Sequence, residues 1–130
     1  MRWEGVFAVF VVCHLVGDFA LQTDWQATHK RGGLARDPEA RRALFSHVAV
    51  YTLVFVPAVI WIAAEKSALA VALLAVVFVP HLIQDDARLL ISWNRAVKHT
   101  EAVPGESLYV AIDQSFHILV LFGTALLAVT

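Results

Sequence analysis

Four long runs of apolar residues, separated by polar segments, organise the 130-residue chain. The runs cover about residues 5–23, 44–64, 67–85 and 107–129. Each is close to the roughly 20 mostly apolar residues that a helix needs to cross the hydrocarbon core of a bilayer. The pattern predicts an all-α fold, a four-transmembrane-helix bundle, with residues 1–130 forming a single integral membrane domain.

The segments between the runs differ greatly in length. Residues 24–43 and 86–106 are polar and contain glycines and prolines typical of turns, whereas only Glu65 and Lys66 separate the second run from the third. We therefore expect a tight antiparallel hairpin between the second and third helices. A short helix is expected after Asp37 and Pro38, and the third helix is expected to extend along the membrane surface.

Basic residues are concentrated in the two long connections, and the opposite side of the predicted bundle has only Arg2 and Lys66. Cytoplasmic loops of membrane proteins are enriched in Lys and Arg, so both long connections are expected in the cytoplasm and both termini outside. The basic residues of the connections are Lys30, Arg31, Arg36, Arg41, Arg42, Arg88, Arg95 and Lys98.

The composition supports a membrane protein and argues against other classes. Hydrophobic residues make up 59% of the chain, against roughly 45–50% in soluble domains, and the mean hydropathy is +0.68. A net charge of −1 argues against nucleic acid as a partner, because nucleic-acid-binding domains are strongly basic. The single cysteine, Cys13, excludes an internal disulfide and a thiolate pair for a metal.

Ionisable residues nevertheless occur inside the apolar runs, and they repeat at helical spacing. Residues four apart lie on one face of a helix. Three runs carry such a pair, and the second run carries His47. The pairs are His14 with Asp18, His81 with Asp85, and Asp113 with His117. The first and third helices read His before Asp, whereas the fourth helix runs in the opposite direction and reads Asp before His. All the histidines should therefore lie at one depth, with the aspartates nearer the cytoplasm.

This layer of imidazoles and carboxylates predicts a metal site. An isolated charge at bilayer depth costs roughly 2.5–3.5 kcal/mol, so three aspartates require partners or a bound cation. Zinc is the first expectation, and manganese and iron are the alternatives. The site would hold either two ions, or one ion with the remaining carboxylates orienting its histidine ligands. Hydrogen bonds between helices without an ion are the competing interpretation. The candidate ligands are His14, Asp18, His47, His81, Asp85, Asp113 and His117.

The first functional hypothesis is a metal-dependent hydrolase whose site opens to the cytoplasm at headgroup depth. A lipid headgroup or another phosphoester is the expected substrate, because the nearest charges outside the ligand set are arginines. Asp18 and Asp113 are the candidate catalytic residues, since a carboxylate beside a metal can act as general base. Candidate substrate contacts are Gln22, Gln114 and Arg88.

Two other hypotheses remain. One is a non-catalytic membrane protein that binds metal or senses pH, as a binder or effector. The other is a transporter of a metal ion or proton, which intramembrane His and Asp residues can serve. The outer halves of the four runs contain no ionisable group except Cys13, so a crossing ion would find no relay unless a homo-oligomer builds another route. Transport is therefore the third of the three hypotheses. In all of them the expected partner of the protein is the lipid bilayer.

Four motifs resemble a known family, namely HLVGDFALQTDWQATHK, SHVAVYTL, PHLIQDDAR and AIDQSFHI. The family is domain of unknown function 3307, a group of small bacterial and phage membrane proteins with an H-x-x-G-D-F-x-x-Q signature. The signature and the later motifs match at His14, Gly17, Asp18, Phe19, Gln22, His47, His81, Asp113 and His117. The resemblance covers nearly the whole chain and implies a multi-pass protein of the bacterial inner membrane, with no established activity.

One motif departs from the family pattern. The chain reads Gln84-Asp85-Asp86 where such proteins commonly read isoleucine-aspartate, which leaves open the aspartate that pairs with His81. Asp86 is expected to be a solvated interfacial carboxylate, with a role as a metal ligand as the alternative. More loosely, the polar pattern is similar to that of inner-membrane proteins assigned as metal-dependent hydrolases.

Overall fold

The computed structural model describes residues 1–65 and 69–130, and this part of the chain is all-helical, without strands. Lys66 and Ser67, where the sequence predicts the tight hairpin and the start of the third run, lie outside the described residues. Helix α1 spans Trp3–Leu15 and continues as a π-helical turn, Val16–Ala20, followed by α2 (Asp24–His29) and α3 (Pro38–Ala63). Helix α4 spans Ala70–Asp85, α5 spans Arg88–Trp93 and continues as a π-helical turn, Asn94–Lys98, and α6 spans Ser107–Val129.

The long helices α1, α3, α4 and α6 pack side by side. Helix α1 contacts α3 and α6, and α4 contacts the same two helices. Their buried apolar side chains form a core in the half of the molecule away from the long connections. This apolar core includes Val6, Phe10, Phe55, Ile62, Leu73, Val77, Leu121 and Ala125.

Several helices have the length and hydropathy of membrane spans. Three segments qualify alone, namely Trp3–Ala20, Pro38–Ala63 and Ser107–Val129, and α4 with α5 makes a fourth if this bent pair counts as one span. The sequence prediction of an all-α chain with membrane-length helices is confirmed in this sense. Which end faces the cytoplasm stays a prediction.

The second long helix begins earlier than the apolar run that predicted it. The Asp37 carboxylate accepts a hydrogen bond from the Glu39 backbone N–H at 2.9 Å, and Pro38 occupies the first helical position. Both features initiate helices. No glycine or proline interrupts residues 39–44, so the expected short helix and the expected span are one helix of 26 residues.

The third helix does not continue straight beyond the site. It ends at Asp85, Ala87 adopts a left-handed backbone conformation with φ 68°, and α5 leaves at an angle of 61°. Asp86 is 4% exposed and accepts hydrogen bonds from the Leu34 backbone N–H at 2.8 Å and from Arg88 Nε at 2.6 Å. The expectation of a solvated carboxylate at Asp86 is therefore wrong, because this side chain fixes the first connection against the α4–α5 bend.

Candidate metal centre

Two groups of His and Asp side chains meet where the long helices converge, at the connection end of the apolar core. Within each group, one potential ligand atom from every residue lies within 4.8 Å of the others. All members are buried except Asp113, which is half-buried. The first group is Asp18, His47, His81 and Asp85, and the second is Asp85, Asp113 and His117. The structure thus brings together six of the seven predicted ligands.

A close approach of α1 to α3 positions Asp18. The chain widens into a π-helical turn at this point, and the Leu21 backbone N–H donates to the Val16 carbonyl five residues earlier, at 2.9 Å. Gly17 lies directly against Tyr51, since a Cβ at this glycine would be only 2.6 Å from Tyr51 Cδ2. As a result the next residue, Asp18, reaches His47 of α3, with Oδ1 3.2 Å from Nε2.

The first group has the spacing of a tetrahedral ligand set. His47 Nε2 lies 3.1 Å from His81 Nε2. Asp18 Oδ1 lies 3.2 Å and 3.3 Å from these two nitrogens, and Asp85 Oδ2 lies 2.9 Å and 3.3 Å from them. These are five of the six edges of a tetrahedron. Four ligands about 2.0–2.1 Å from a zinc ion would be separated by about 3.3 Å, so the arrangement fits a small divalent cation.

The second group shares Asp85 with the first. His117 Nε2 lies 3.5 Å from Asp85 Oδ1, whereas the first group uses Oδ2 of the same carboxylate. His117 Nδ1 donates to the Asp113 backbone carbonyl at 2.9 Å, so in a neutral ring Nε2 is the unprotonated nitrogen and can bind a cation. A carbonyl that fixes the tautomer in this way is typical of metal-ligating histidines. The aspartate that pairs with His81 is Asp85, with Oδ2 3.3 Å from His81 Nε2, whereas Asp86 accepts from Leu34 and Arg88.

His14 lies beside both groups but belongs to neither. Its Nε2 donates to Gln114 Oε1 at 2.8 Å, because an amide oxygen only accepts. Its Nδ1 then accepts from the Tyr51 hydroxyl at 3.1 Å, so both ring nitrogens have partners. The Tyr51 ring in turn stacks on His81, with centroids 3.5 Å apart. Its contacts are to neighbours of the two groups, and its role as a metal ligand stays a prediction.

A cavity of about 210 Å³ opens beside the two groups, toward the long connections. Asp18, Asp85 and Asp113 line it together with two cations, Lys30 and Arg31. Lys30 Nζ donates to Asp85 Oδ2 at 2.7 Å and to Gln22 Oε1 at 2.6 Å. The cavity therefore combines the carboxylates of the cluster with positive charge that can receive an anion.

The predicted substrate contacts divide into two kinds. Gln22 and Gln114 line the cavity, and Gln114 Nε2 is 3.5 Å from Asp18 Oδ2 and 3.4 Å from Asp113 Oδ2. Arg88 instead pairs with Asp86 and does not line the cavity.

The sequence prediction did not single out two residues of the site, Lys30 and Tyr51. In the sequence, Lys30 is one of several cations that indicate the membrane topology, and the only signal of Tyr51 is its position one turn after His47.

Residues 6–130 match the model of one protein family, which is described as a protein of unknown function (DUF3307). This segment includes every residue of both groups. The chain belongs to the DUF3307 family. This confirms the resemblance carried by the four sequence motifs. No curated protein and no solved structure matches the chain. Since the DUF3307 description names no activity, the function of this member has to be inferred from the chemistry of its site.

Proposed function

We propose that this DUF3307 protein is a multi-pass membrane protein that binds a divalent metal ion and hydrolyses a phosphoester in a cavity open to the cytoplasm. The ion would be held by Asp18, His47, His81 and Asp85. The observation that supports this most is the set of five ligand-atom distances between 2.9 and 3.3 Å, close to those of a tetrahedral zinc site.

The donor set also bears on the identity and number of ions. Two imidazole nitrogens and two carboxylate oxygens suit zinc best, and manganese or iron accept the same donors. A second ion would be held by Asp85, Asp113 and His117. The two oxygens of Asp85 face different groups, so this carboxylate could contribute one ligand atom to each of two ions.

When bound, the metal would supply Lewis acidity for a phosphoryl oxygen and activate water near neutral pH. The chain's own groups would do the rest. Lys30 and Arg31 would bind the anionic phosphoester, with Gln22 orienting the Lys30 ammonium. With one ion bound, Asp113 is not a ligand; it is half-buried and lines the cavity, so it is our candidate for the general base that accepts the proton of the attacking water. Asp18 would act as a ligand, with Gln114 donating to its second oxygen.

The apolar core favours a local site over a transport path. In the part of the chain that the structure describes, the core beyond Tyr51 consists of aliphatic and aromatic side chains such as Phe10, Phe55 and Leu121. In that direction Cys13, half-buried against the core, is the ionisable side chain that an ion or proton leaving the cluster would meet among these core residues. Proteins that conduct ions across a bilayer generally place such groups along the path.

The experiment is to purify the protein in detergent, load it with zinc, remove excess ion and measure metal content by mass spectrometry. Asp18→Asn and His81→Ala are compared with Asp24→Asn and His29→Ala, which change exposed residues of the same types. We expect one or two ions per chain in the wild type and the control variants, and loss of at least the first ion in the site variants.

Hydrolysis is measured on the same samples with bis(p-nitrophenyl) phosphate and with phospholipid in mixed micelles. Activity that disappears together with the metal supports the hydrolase. Stoichiometric metal without hydrolysis of any phosphoester would instead support a non-catalytic metal-binding protein. A wild type that stays folded and binds no metal would contradict the proposal and favour a cluster held by hydrogen bonds alone.

A further inference from the structure

A second cavity, lined almost entirely by apolar side chains, lies between α4, α5 and α6. Its volume is about 360 Å³. Trp93 and Phe116 form one wall, packed edge to face with their ring centroids 5.0 Å apart. Ile83, Leu89 and Leu90 line it further. We call this cavity the apolar groove. It is within the size range of roughly 300–1,000 Å³ typical of small-molecule sites.

The bend after α4 creates the groove. Ala87 turns the chain by 61°, so α5 diverges from the axis of α4 and leaves space beside α6. Leu89, at the start of α5, is 62% exposed and lines the groove. In the proposed membrane topology α5 lies at headgroup depth, so the groove would open toward the acyl chains of the surrounding lipid.

Gln84 joins the groove to the cavity of the metal centre, because it lines both. Its Oε1 is buried and accepts no hydrogen bond from the residues that the structure describes. A buried acceptor without a donor destabilises the structure that contains it, so a donor supplied by a ligand would be favourable. In the first cavity Gln84 is accompanied by Lys30 and Arg31 as well as by carboxylates, and in the apolar groove its fellow lining residues are apolar.

We propose that the two cavities form one binding site for an anionic glycerophospholipid with a hydroxyl-bearing headgroup. The phosphate would lie near Lys30 and Arg31, one acyl chain would occupy the apolar groove, and a headgroup hydroxyl would donate to Gln84 Oε1. The argument is charge and polarity complementarity: two cations stand among the carboxylates of the first cavity, an unpartnered acceptor lines both cavities, and the groove is apolar. These features match the phosphate, the hydroxyl and the acyl chain in turn. This inference rests on the proposed function only in taking the lipid as the phosphoester that the metal centre acts on.

Binding is measured in detergent micelles with phosphatidylglycerol whose acyl chains carry bromine, which quenches tryptophan fluorescence on contact. The part of the quenching that is due to Trp93 is obtained by comparing the wild type with Trp93→Phe. We expect saturable quenching of Trp93 that Ile83→Phe weakens at least ten-fold by filling the groove. Leu119→Phe, at an exposed position of α6 that does not line the groove, is the matched control and leaves the affinity unchanged.

The headgroup part is tested with the same assay. Arg31→Ala and Gln84→Leu should each weaken binding of phosphatidylglycerol about five- to ten-fold, whereas brominated phosphatidylcholine, without net charge or hydroxyl, should bind at least ten-fold more weakly. Glycerol phosphate should compete only at much higher concentration, because it lacks the acyl chain.

Several outcomes would overturn the inference. The first is equal affinity for phosphatidylglycerol and phosphatidylcholine, and the second is an unchanged lipid affinity in Ile83→Phe. The third is competition by glycerol phosphate as strong as that by the whole lipid, since this result would indicate a site for the phosphate alone. Zinc content is measured on the same samples. Lipid binding without zinc would therefore count against the metal centre only, and zinc binding without quenching of Trp93 would count against the lipid site only.

Discussion

Replacement of Gly17 by alanine should damage the metal centre without touching any ligand. The new Cβ would lie 2.6 Å from Tyr51 Cδ2 and 3.3 Å from Tyr51 Cα. Ordinary carbon–carbon contacts are about 3.5–4.0 Å, so the side chain contact alone is too short by about 1 Å. The second contact is to backbone, which means that α1 and α3 have to separate.

The Tyr51 ring cannot relieve this contact freely. It is 1% exposed, it stacks on the His81 ring with centroids 3.5 Å apart and planes 7° apart, and its hydroxyl is bonded to His14. Overpacking of this kind costs about 1–3 kcal/mol of unfolding free energy. Because Tyr51 would transmit the displacement to His81, we also expect zinc affinity to fall about 10–100-fold, the range found when groups that orient metal ligands are changed.

Gly17→Ala is compared with Gly123→Ala, whose Cβ would have no neighbour within 4 Å. Melting temperature is followed by circular dichroism in detergent, and zinc affinity is measured by competition with a chelator. We expect Gly17→Ala to melt about 5 °C or more below the wild type and Gly123→Ala to match it. If the two variants had equal melting temperatures and equal zinc affinities, the close approach at Gly17 would not be what positions the site.

Three further changes test other parts of the arrangement. Lys30→Ala should raise zinc affinity about ten-fold, because the Lys30 ammonium 2.7 Å from Asp85 competes with the ion, and it should lower the melting temperature of the zinc-free protein, because the ammonium neutralises that buried carboxylate. Zinc affinity is measured by competition with a chelator and the melting temperature by thermal scans. An unchanged zinc affinity would show that the ammonium does not compete with the ion. Asp113→Asn should remove the second ion and keep the first, as counted by mass spectrometry, since Asp113 belongs only to the second group. Gly33→Ala should lower the unfolding free energy by about 1–3 kcal/mol in thermal scans, because its Cβ would lie 2.6 Å from Leu44 Cβ; a melting temperature like that of the wild type would refute this clash.

Helical periodicity and chain direction were sufficient to predict the layer of the site. His81 with Asp85 and Asp113 with His117 are spaced four residues apart on regular α-helices, so each pair faces one way whatever surrounds it. His47 could be placed because its helix begins nearby and its depth follows from the rise per residue. These inferences need only the geometry of a helix, and the structure brings the side chains together.

The fate of His14 could not be predicted in the same way. The π-helical turn begins two residues after it, at Val16, and His14 still faces Asp18, with Nδ1 3.7 Å from Oδ2. The shorter contacts of His14 nevertheless go to Tyr51 and Gln114, while Asp18 joins the first group. No residue type marks a π-helical turn in a sequence. Only the tight contact at Gly17 suggests why this one forms.

Lys30 was missed for a different reason, namely its distance along the chain. It lies 55 residues before Asp85, and the two meet because the first connection folds back over the α4–α5 bend. The bond from the Leu34 backbone N–H to Asp86 and the bond from the Gly32 backbone N–H to the Asp86 carbonyl hold it there. Contacts made by a polar connection in this way have no periodic signature.

The charges of the cluster suggest how metal and substrate would bind relative to each other. With neutral histidines, Asp18, Asp85 and Asp113 contribute three negative charges and Lys30 returns one positive charge, which leaves a net charge of −2. One divalent ion balances this sum. A second ion would leave the buried layer at +2, an unfavourable charge in a low-dielectric site. The phosphate of a bound anionic lipid would offset that excess. The second ion and the lipid should therefore favour each other's binding, and by reciprocity each should raise the affinity of the other by the same factor.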